Sequence, residues 1–177
     1  MNLFRISLAR AGARVTAIDL APTMIEVARL HAAGAGLDID YRLQSVEALA
    51  EQAAGRFDVV TCMEMLEHLP EPAGAVDALA HLLRPGGSLF VSTINRNLRS
   101  FAVAIVGAEY LTRLVPAGTH EYERLIKPSE LAAWARSSGL EAQEIAGLEF
   151  NPVTSLCRLT ADPSVNYLLH LRKPAVP

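Results

Sequence analysis

The segment Asp58-Val59-Val60-Thr61-Cys62-Met63-Glu64-Met65-Leu66-Glu67-His68 constrains this chain more than any other. A short apolar run ends abruptly in a methionine, two carboxylates and an imidazole. A buried parallel strand reads this way when it delivers polar side chains at its carboxyl end. In open α/β sheets the ligand crevice lies just beyond such ends. One segment therefore points both to a fold class and to the place where chemistry belongs.

The remaining pattern alternates strand and helix. Arg14 to Leu20 reads as a strand carrying Asp19 near its end. Pro22 opens a helix through Ala33, with Met24, Val27, Ala28 and Leu30 near helical spacing and Gly34 and Gly36 as stop signals. Ile39 to Leu43 is a short strand, and Val46 to Ala54 a short helix closed by Gly55. Ala73 to Leu83 is helical and is halted by Arg84-Pro85-Gly86-Gly87, a turn that resets the chain for a strand from Ser88 to Ile94. Ser129 caps a further helix to Ser138, and Leu140 to Leu148 and Val165 to Arg172 form two closing strands. Strands separated by helices predict a mostly parallel, doubly wound α/β sheet with an antiparallel pair at its end.

Composition excludes several classes. At 177 residues and 51% hydrophobic content the chain has enough material for one cored domain. Sixteen basic against 19 acidic residues give a net charge of -3 with no basic stripe, which argues against a nucleic-acid partner. The apolar stretch Phe101 to Val106 is far short of the ~20 residues a spanning helix needs. The start, Met1-Asn2-Leu3-Phe4-Arg5, has no signal-peptide pattern. Cys62 and Cys157 lie in strand-like contexts that suit reduced thiols, so a cytoplasmic enzyme is expected.

Three groups of residues carry candidate chemistry. Asp19, between a strand and a helix, has the geometry to accept both hydroxyls of a ribose or to cap the following helix. Glu64, Glu67 and His68 would share one face if the segment after Met63 turns helical. Together they could hold a hard divalent cation such as magnesium or supply a general base. The plainer alternative is a solvated helix start, with acids near the positive end of the dipole. Third, Leu98 to Val115 is a mostly apolar, helix-like stretch bracketed by Arg96, Arg99 and Arg113. It reads either as an interfacial membrane-docking element or as a lid helix over the site.

Asp19, the Glu64 to His68 run, Arg84-Pro85-Gly86-Gly87 and Asn95-Arg96-Asn97 follow one another as in class I S-adenosylmethionine-dependent methyltransferases. Further motifs narrow the likeness: Cys62 to His68, Ser92-Thr93-Ile94-Asn95-Arg96-Asn97, Val106-Gly107-Ala108-Glu109-Tyr110, Gly118-Thr119-His120, Asn151-Pro152 and Val165-Asn166-Tyr167. Over essentially its whole length the chain resembles the ubiquinone-biosynthesis O-methyltransferases. The resemblance implies a single Rossmann-like domain over residues 1–177, with residues 98–126 as a lid or membrane-docking insertion. It also implies O-methylation of polyprenylated phenol and quinol substrates (2-polyprenyl-6-hydroxyphenol and 3-demethylubiquinol) at the inner membrane face, within a quinone-biosynthesis complex.

Carried over residue by residue, the resemblance makes Asp19 the ribose ligand of S-adenosylmethionine and places Met63 in the donor pocket. Ser45 and Val46 fall where the superfamily contacts adenine. Magnesium dependence in eukaryotic relatives favours Glu64, Glu67 and His68 as metal ligands. His68 and His120 are the candidate bases, His120 alternatively being a loop histidine bonded to backbone. The first strand and glycine-rich loop of the family are not found before Asp19, and Met1 to Arg10 reads as the remainder of the helix that follows that loop. On this reading the chain is a family member lacking its start, expected to bind donor weakly. Two alternatives stay open: a class I methyltransferase for a soluble small molecule, which an apolar tail-sized channel would argue against, and a non-catalytic remnant serving as an assembly subunit, which a stable fold without donor binding would favour.

Overall fold

The computed structural model describes residues 2–100, 122–151 and 156–175. The chain divides into two compact units, Met1–Gln52 and Ala53–Pro177.

In the first unit, helix α1 (Asn2–Arg10) leads to strand β1 (Thr16–Asp19), helix α2 (Pro22–Gly34), strand β2 (Asp40–Leu43) and helix α3 (Val46–Ala53), whose last residue falls across the division. β1 and β2 pair in parallel, from Thr16 opposite Asp40 to Asp19 opposite Leu43. Pro22 suits the first turn of α2 because it has no N–H to leave unpaired there. Ile25, Ala28 and Ala32 form the buried stripe of that helix and pack with Ile6, Ala17, Ile39 and Tyr41. Met24, Val27 and Leu30, which share the helical spacing, are exposed; the buried face is rotated from the one those residues predict. Arg29 Nη2 donates to the Tyr41 carbonyl at 2.7 Å and ties α2 to β2.

The second unit holds a five-stranded sheet in the order β3-β4-β7-β5-β6, formed by β3 (Phe57–Met63), β4 (Leu83–Ile94), β5 (Glu141–Asn151), β6 (Leu156–Thr160) and β7 (Asn166–Arg172). β3 and β4 are parallel, and the pairings among β4, β7, β5 and β6 are antiparallel. Helices α4 (Pro72–Leu82) and α6 (Pro128–Ser137) pack against these strands, with the short α5 (Leu98–Ser100) between them in sequence. Leu89, Val91, Thr93, Tyr167, Leu169 and Leu171 form one almost fully buried face of β4 and β7. Of the residues alternating with them, Phe90, Leu168 and His170 are half-buried, and Ser92 and Ile94 are buried.

The α/β class and parallel pairings match the sequence expectation, with three differences in detail. The closing antiparallel part has three strands among the described residues; β6, centred on Arg158, adds to the two expected and takes up the strand-like context of Cys157. The expected turn at Arg84–Gly87 lies inside β4 as a bulge: a step of two residues along β3, from Phe57 to Val59, is matched by a step of five along β4, from Leu83 to Ser88. Gly86 adopts φ 77°, and a Cβ on Gly87 would stand 2.9 Å from the Arg84 carbonyl oxygen, so both positions require glycine. Nor does Ser129 cap α6. The Lys127 N–H donates to Glu130 Oε2 at 2.9 Å, closing the helix start from within.

Candidate functional site

Asp19 closes β1 at its carboxyl end. Its Oδ1 accepts the Ala21 N–H at 3.0 Å, which bends the chain into α2. Asp19 does not cap α2, whose N-cap is Ala21 with no side-chain hydrogen bond; one of its oxygens organises the turn before the helix, and Oδ2 has no partner among the described residues. Ser45 Oγ accepts the Ala48 N–H at 3.2 Å and caps α3. Val46 is only 6% exposed, so its side chain is core rather than ligand surface.

In the second unit, Met63 ends β3 half-buried. The helix that would have aligned Glu64, Glu67 and His68 does not form. Glu64 takes the left-handed conformation, φ 49°, a strained setting for a non-glycine residue that costs roughly 1–3 kcal/mol. Only a single 3-10 turn, Leu66–His68, follows. The strain at Glu64 is held by β4: its N–H donates to the Ser92 carbonyl at 3.0 Å and to Ser92 Oγ at 3.2 Å, and Ser92 Oγ donates to Glu64 Oε1 at 2.7 Å.

The next hydroxyl on β4 treats the next carboxylate differently. Thr93 Oγ1 donates to Glu67 Oε2 at 2.8 Å, with Glu67 3% exposed and its Oε1 buried without a partner among the described residues. Consecutive strand residues point to opposite faces. Ser92, opposite Met63 in the β3–β4 register, shares the Met63 face; Thr93, opposite Tyr167, shares the fully buried one. The two carboxylates are thus engaged from opposite sides of the sheet, and His68 is exposed. Among the described residues no group of three or more His, Cys, Asp or Glu side chains is gathered to hold a metal ion. Glu64, Glu67 and His68 as arranged do not fit a magnesium site, because the one-faced helix that the site required is replaced by a left-handed residue and a single turn.

Burial and the nearby carboxylates shape the titrations here. The Cys62 thiol is pushed up to about 12, chiefly by burial and then by the charges of Glu67 and Glu64. Tyr167 is shifted upward by burial first, then by Glu67, Glu130 and Glu64, while its hydroxyl donates to the Ile126 carbonyl at 3.1 Å.

Beyond β4 a polar braid fixes the loop Asn95 to Ser100. Asn95 Nδ2 donates to the Pro163 carbonyl at 3.1 Å and Asn97 Nδ2 to the Ser164 carbonyl at 2.6 Å. Arg96 pairs with Glu130, and Arg99 Nη1 reaches Asp162 Oδ2 and Ser164 Oγ at 2.6 Å each. Arg96 and Arg99 are therefore committed to ion pairs rather than merely solvated. The rest of the Leu98 to Val115 stretch, and His120, lie outside the described residues. Ser92, Thr93 and Tyr167 entered the sequence reading only as motif members. The signal that could have singled them out is a pair of hydroxyls at the end of a strand adjoining one that ends in carboxylates.

The α/β fold is that of the class I methyltransferases. Residues 2–91 match the family described as "Methyltransferase domain". The fold resembles a solved S-adenosylmethionine-dependent methyltransferase of Methanosarcina mazei, with a TM-score of 0.69 at 15% identity, covering 97% of this chain and 87% of that one. At the sequence level the chain is 55% identical over 173 residues to the ubiquinone biosynthesis O-methyltransferase of Xanthomonas axonopodis pv. citri (strain 306), covering 98% of this chain and 72% of that protein. With the protein of the same description from Xylella fastidiosa (strain 9a5c) it shares 53% over 176 residues, 99% of this chain and 72% of that one. The chain belongs to the ubiquinone biosynthesis O-methyltransferase family.

Proposed function

We propose that the chain transfers a methyl group from S-adenosylmethionine to a hydroxyl oxygen of polyprenylated catechol-type intermediates in ubiquinone biosynthesis. The observation that carries this reading is the half-buried face at the carboxyl ends of β3 and β4. There Met63 and a strained, hydroxyl-anchored Glu64 stand together, in a chain more than half identical to proteins named for that reaction. Bound S-adenosylmethionine supplies an electrophilic methyl group on a sulfonium. Taken by itself, the first unit offers Asp19 as the residue that would accept hydrogen bonds from a ribose, and the second offers Met63 as the apolar residue that would pack against the donor. Glu64 would hold the acceptor hydroxyl for the transfer, where alignment accounts for much of the rate. His68, exposed in the 3-10 turn that follows, is the candidate base for the hydroxyl proton, and His120 is the second candidate. Magnesium has no step in this mechanism, since the described carboxylates are not gathered around one ion.

A peripheral membrane contact through residues 98–115 is part of the same reading. Its support is a substrate tail that resides in the bilayer and an apolar sequence in that span, and none of the described helices is long and apolar enough to cross a membrane. Calorimetric titration with S-adenosylhomocysteine tests the donor half. We expect binding that weakens about tenfold in Asp19→Asn, the loss of one charge-assisted hydrogen bond. Equal affinities of wild type and variant would remove Asp19 from the site. Methylation of a short-tailed demethylubiquinol, absent with a soluble catechol lacking any tail, tests the acceptor half. The reverse preference would favour a small-molecule methyltransferase.

A further inference from the structure

We infer that Ser92 is a positioning residue for the methyl transfer, acting through Glu64, and that the hydroxyl pair Ser92–Thr93 separates the two carboxylates of the Glu64 to His68 run into one working and one structural group. The inference rests on the methyltransferase reading above. Three contacts join Ser92 to Glu64: the backbone N–H of Glu64 lies 3.0 Å from the Ser92 carbonyl oxygen and 3.2 Å from Oγ, and Oγ donates to Oε1 at 2.7 Å. With three contacts from a residue only 1% exposed, the backbone of Glu64 is kept at φ 49° and its carboxylate in one direction. A left-handed glutamate persists only when its surroundings over-determine it, and such residues cluster at active sites. Ser92 stands opposite Met63 and shares its face, so Glu64 is anchored on the side that carries the donor-lining methionine. Thr93 draws Glu67 to the opposite face, where Tyr167 and Thr93 are themselves fully buried. A buried carboxylate there has no path to an acceptor. Glu64 is the carboxylate held on the Met63 face, and Ser92 sets its aim.

The test is a double-mutant cycle on the whole chain, using Ser92→Ala, Glu64→Gln, the pair, and Ser92→Thr, which keeps the hydroxyl. Turnover of a short-tailed demethylubiquinol, S-adenosylhomocysteine affinity and thermal unfolding are read for each. Ser92→Ala is expected to lower kcat about ten- to hundredfold with donor affinity unchanged, the loss of a hydrogen bond to a charged group. Ser92→Thr is expected to restore most of the rate. If Ser92 acts through Glu64, the double variant is no slower than Glu64→Gln alone. Multiplying losses in the double variant, or a fall in donor affinity that matches the fall in turnover, would overturn the assignment and leave Ser92 a purely structural residue. A wild-type chain that transfers no methyl group would overturn the methyltransferase reading itself, a result seen before any variant is made.

Discussion

The two faces of the β3–β4–β7 sheet are built from the same strands and do opposite work. On one, Leu89, Val91, Thr93, Tyr167, Leu169 and Leu171 are all 4% exposed or less, and the one charge among them, on Glu67, is met by a hydroxyl. On the other, Thr61, Met63, Phe90, Leu168 and His170 are half-buried, while Ser92 and Ile94 towards the end of β4 are buried; the Phe90 and His170 rings stack at 4.5 Å and Ser88 Oγ lies 3.0 Å from His170 Nε2. Stability is concentrated on the first face. The second retains contacts that are directional and partly wet, which is the state of a surface meant to receive something. A strand's period of two lets one sequence specify both.

Paired substitutions sharpen that contrast. Leu89→Ala empties a site with no room to collapse and is expected to cost about 2–5 kcal/mol in urea unfolding. Phe90→Ala, one residue away on the other face, loses partial burial and a ring stack, roughly 1–2 kcal/mol. Equal losses would mean the faces are not different in kind. Next in size, Thr93→Val leaves the buried Glu67 carboxylate without its donor and is expected to destabilise by about 1–3 kcal/mol with turnover little changed per folded molecule. Ser92→Ala should show the converse, slower turnover with a stability change of about 1 kcal/mol or less. Crossed results would exchange the roles assigned to the two hydroxyls.

A smaller effect follows from Cys62. Its thiol titrates higher in the folded protein than in the unfolded chain, so the folded state holds that proton more tightly. The resulting stabilisation is complete below the unfolded thiol's value and is lost as pH climbs toward about 12. Unfolding measured across the alkaline range should show a decline that is shallower in Cys62→Ala; an identical decline would assign it elsewhere, with Tyr167 shifted in the same direction. The smallest perturbation is chemical labelling at neutral pH. Exposed Cys157 should take up a maleimide in the native protein, and buried Cys62 only after denaturation. Two adducts on the native chain would show that the buried face opens.

The fold class and the strand ends that carry the candidate residues were legible because they depend on local pattern: an apolar run cut off by polar residues, prolines at helix starts, glycines at stops. Asp19 and Met63 could be placed at strand ends for that reason. The fate of the carboxylate pair was not legible, since it depends on the backbone at Glu64 turning left-handed, and only β4, 28 residues later, enforces that turn. Spacing of three and four describes a helix, and the helix never forms. Strand β6 escaped notice because Leu156–Thr160 is held by pairing with β5, from Gly147 opposite Thr160 to Asn151 opposite Leu156, rather than by its own composition. In α2 the apolar residues cover more than one face, so spacing alone did not choose among them.

The position of β7 has a consequence for how the second unit is made. It lies between β4 and β5, yet it follows both in the chain. Lys173, just past its end, exchanges backbone hydrogen bonds with Gly86 and Gly87 and sends its ammonium to the Ala80 and Leu83 carbonyls at the end of α4. During synthesis, β4 and β5 must therefore wait with open edges until a strand roughly 80 residues downstream of the first of them emerges to join them. Unpaired edges are where chains stick to one another. A folding intermediate in which β7 has not yet docked would expose both edges, so it is the species expected to aggregate during refolding.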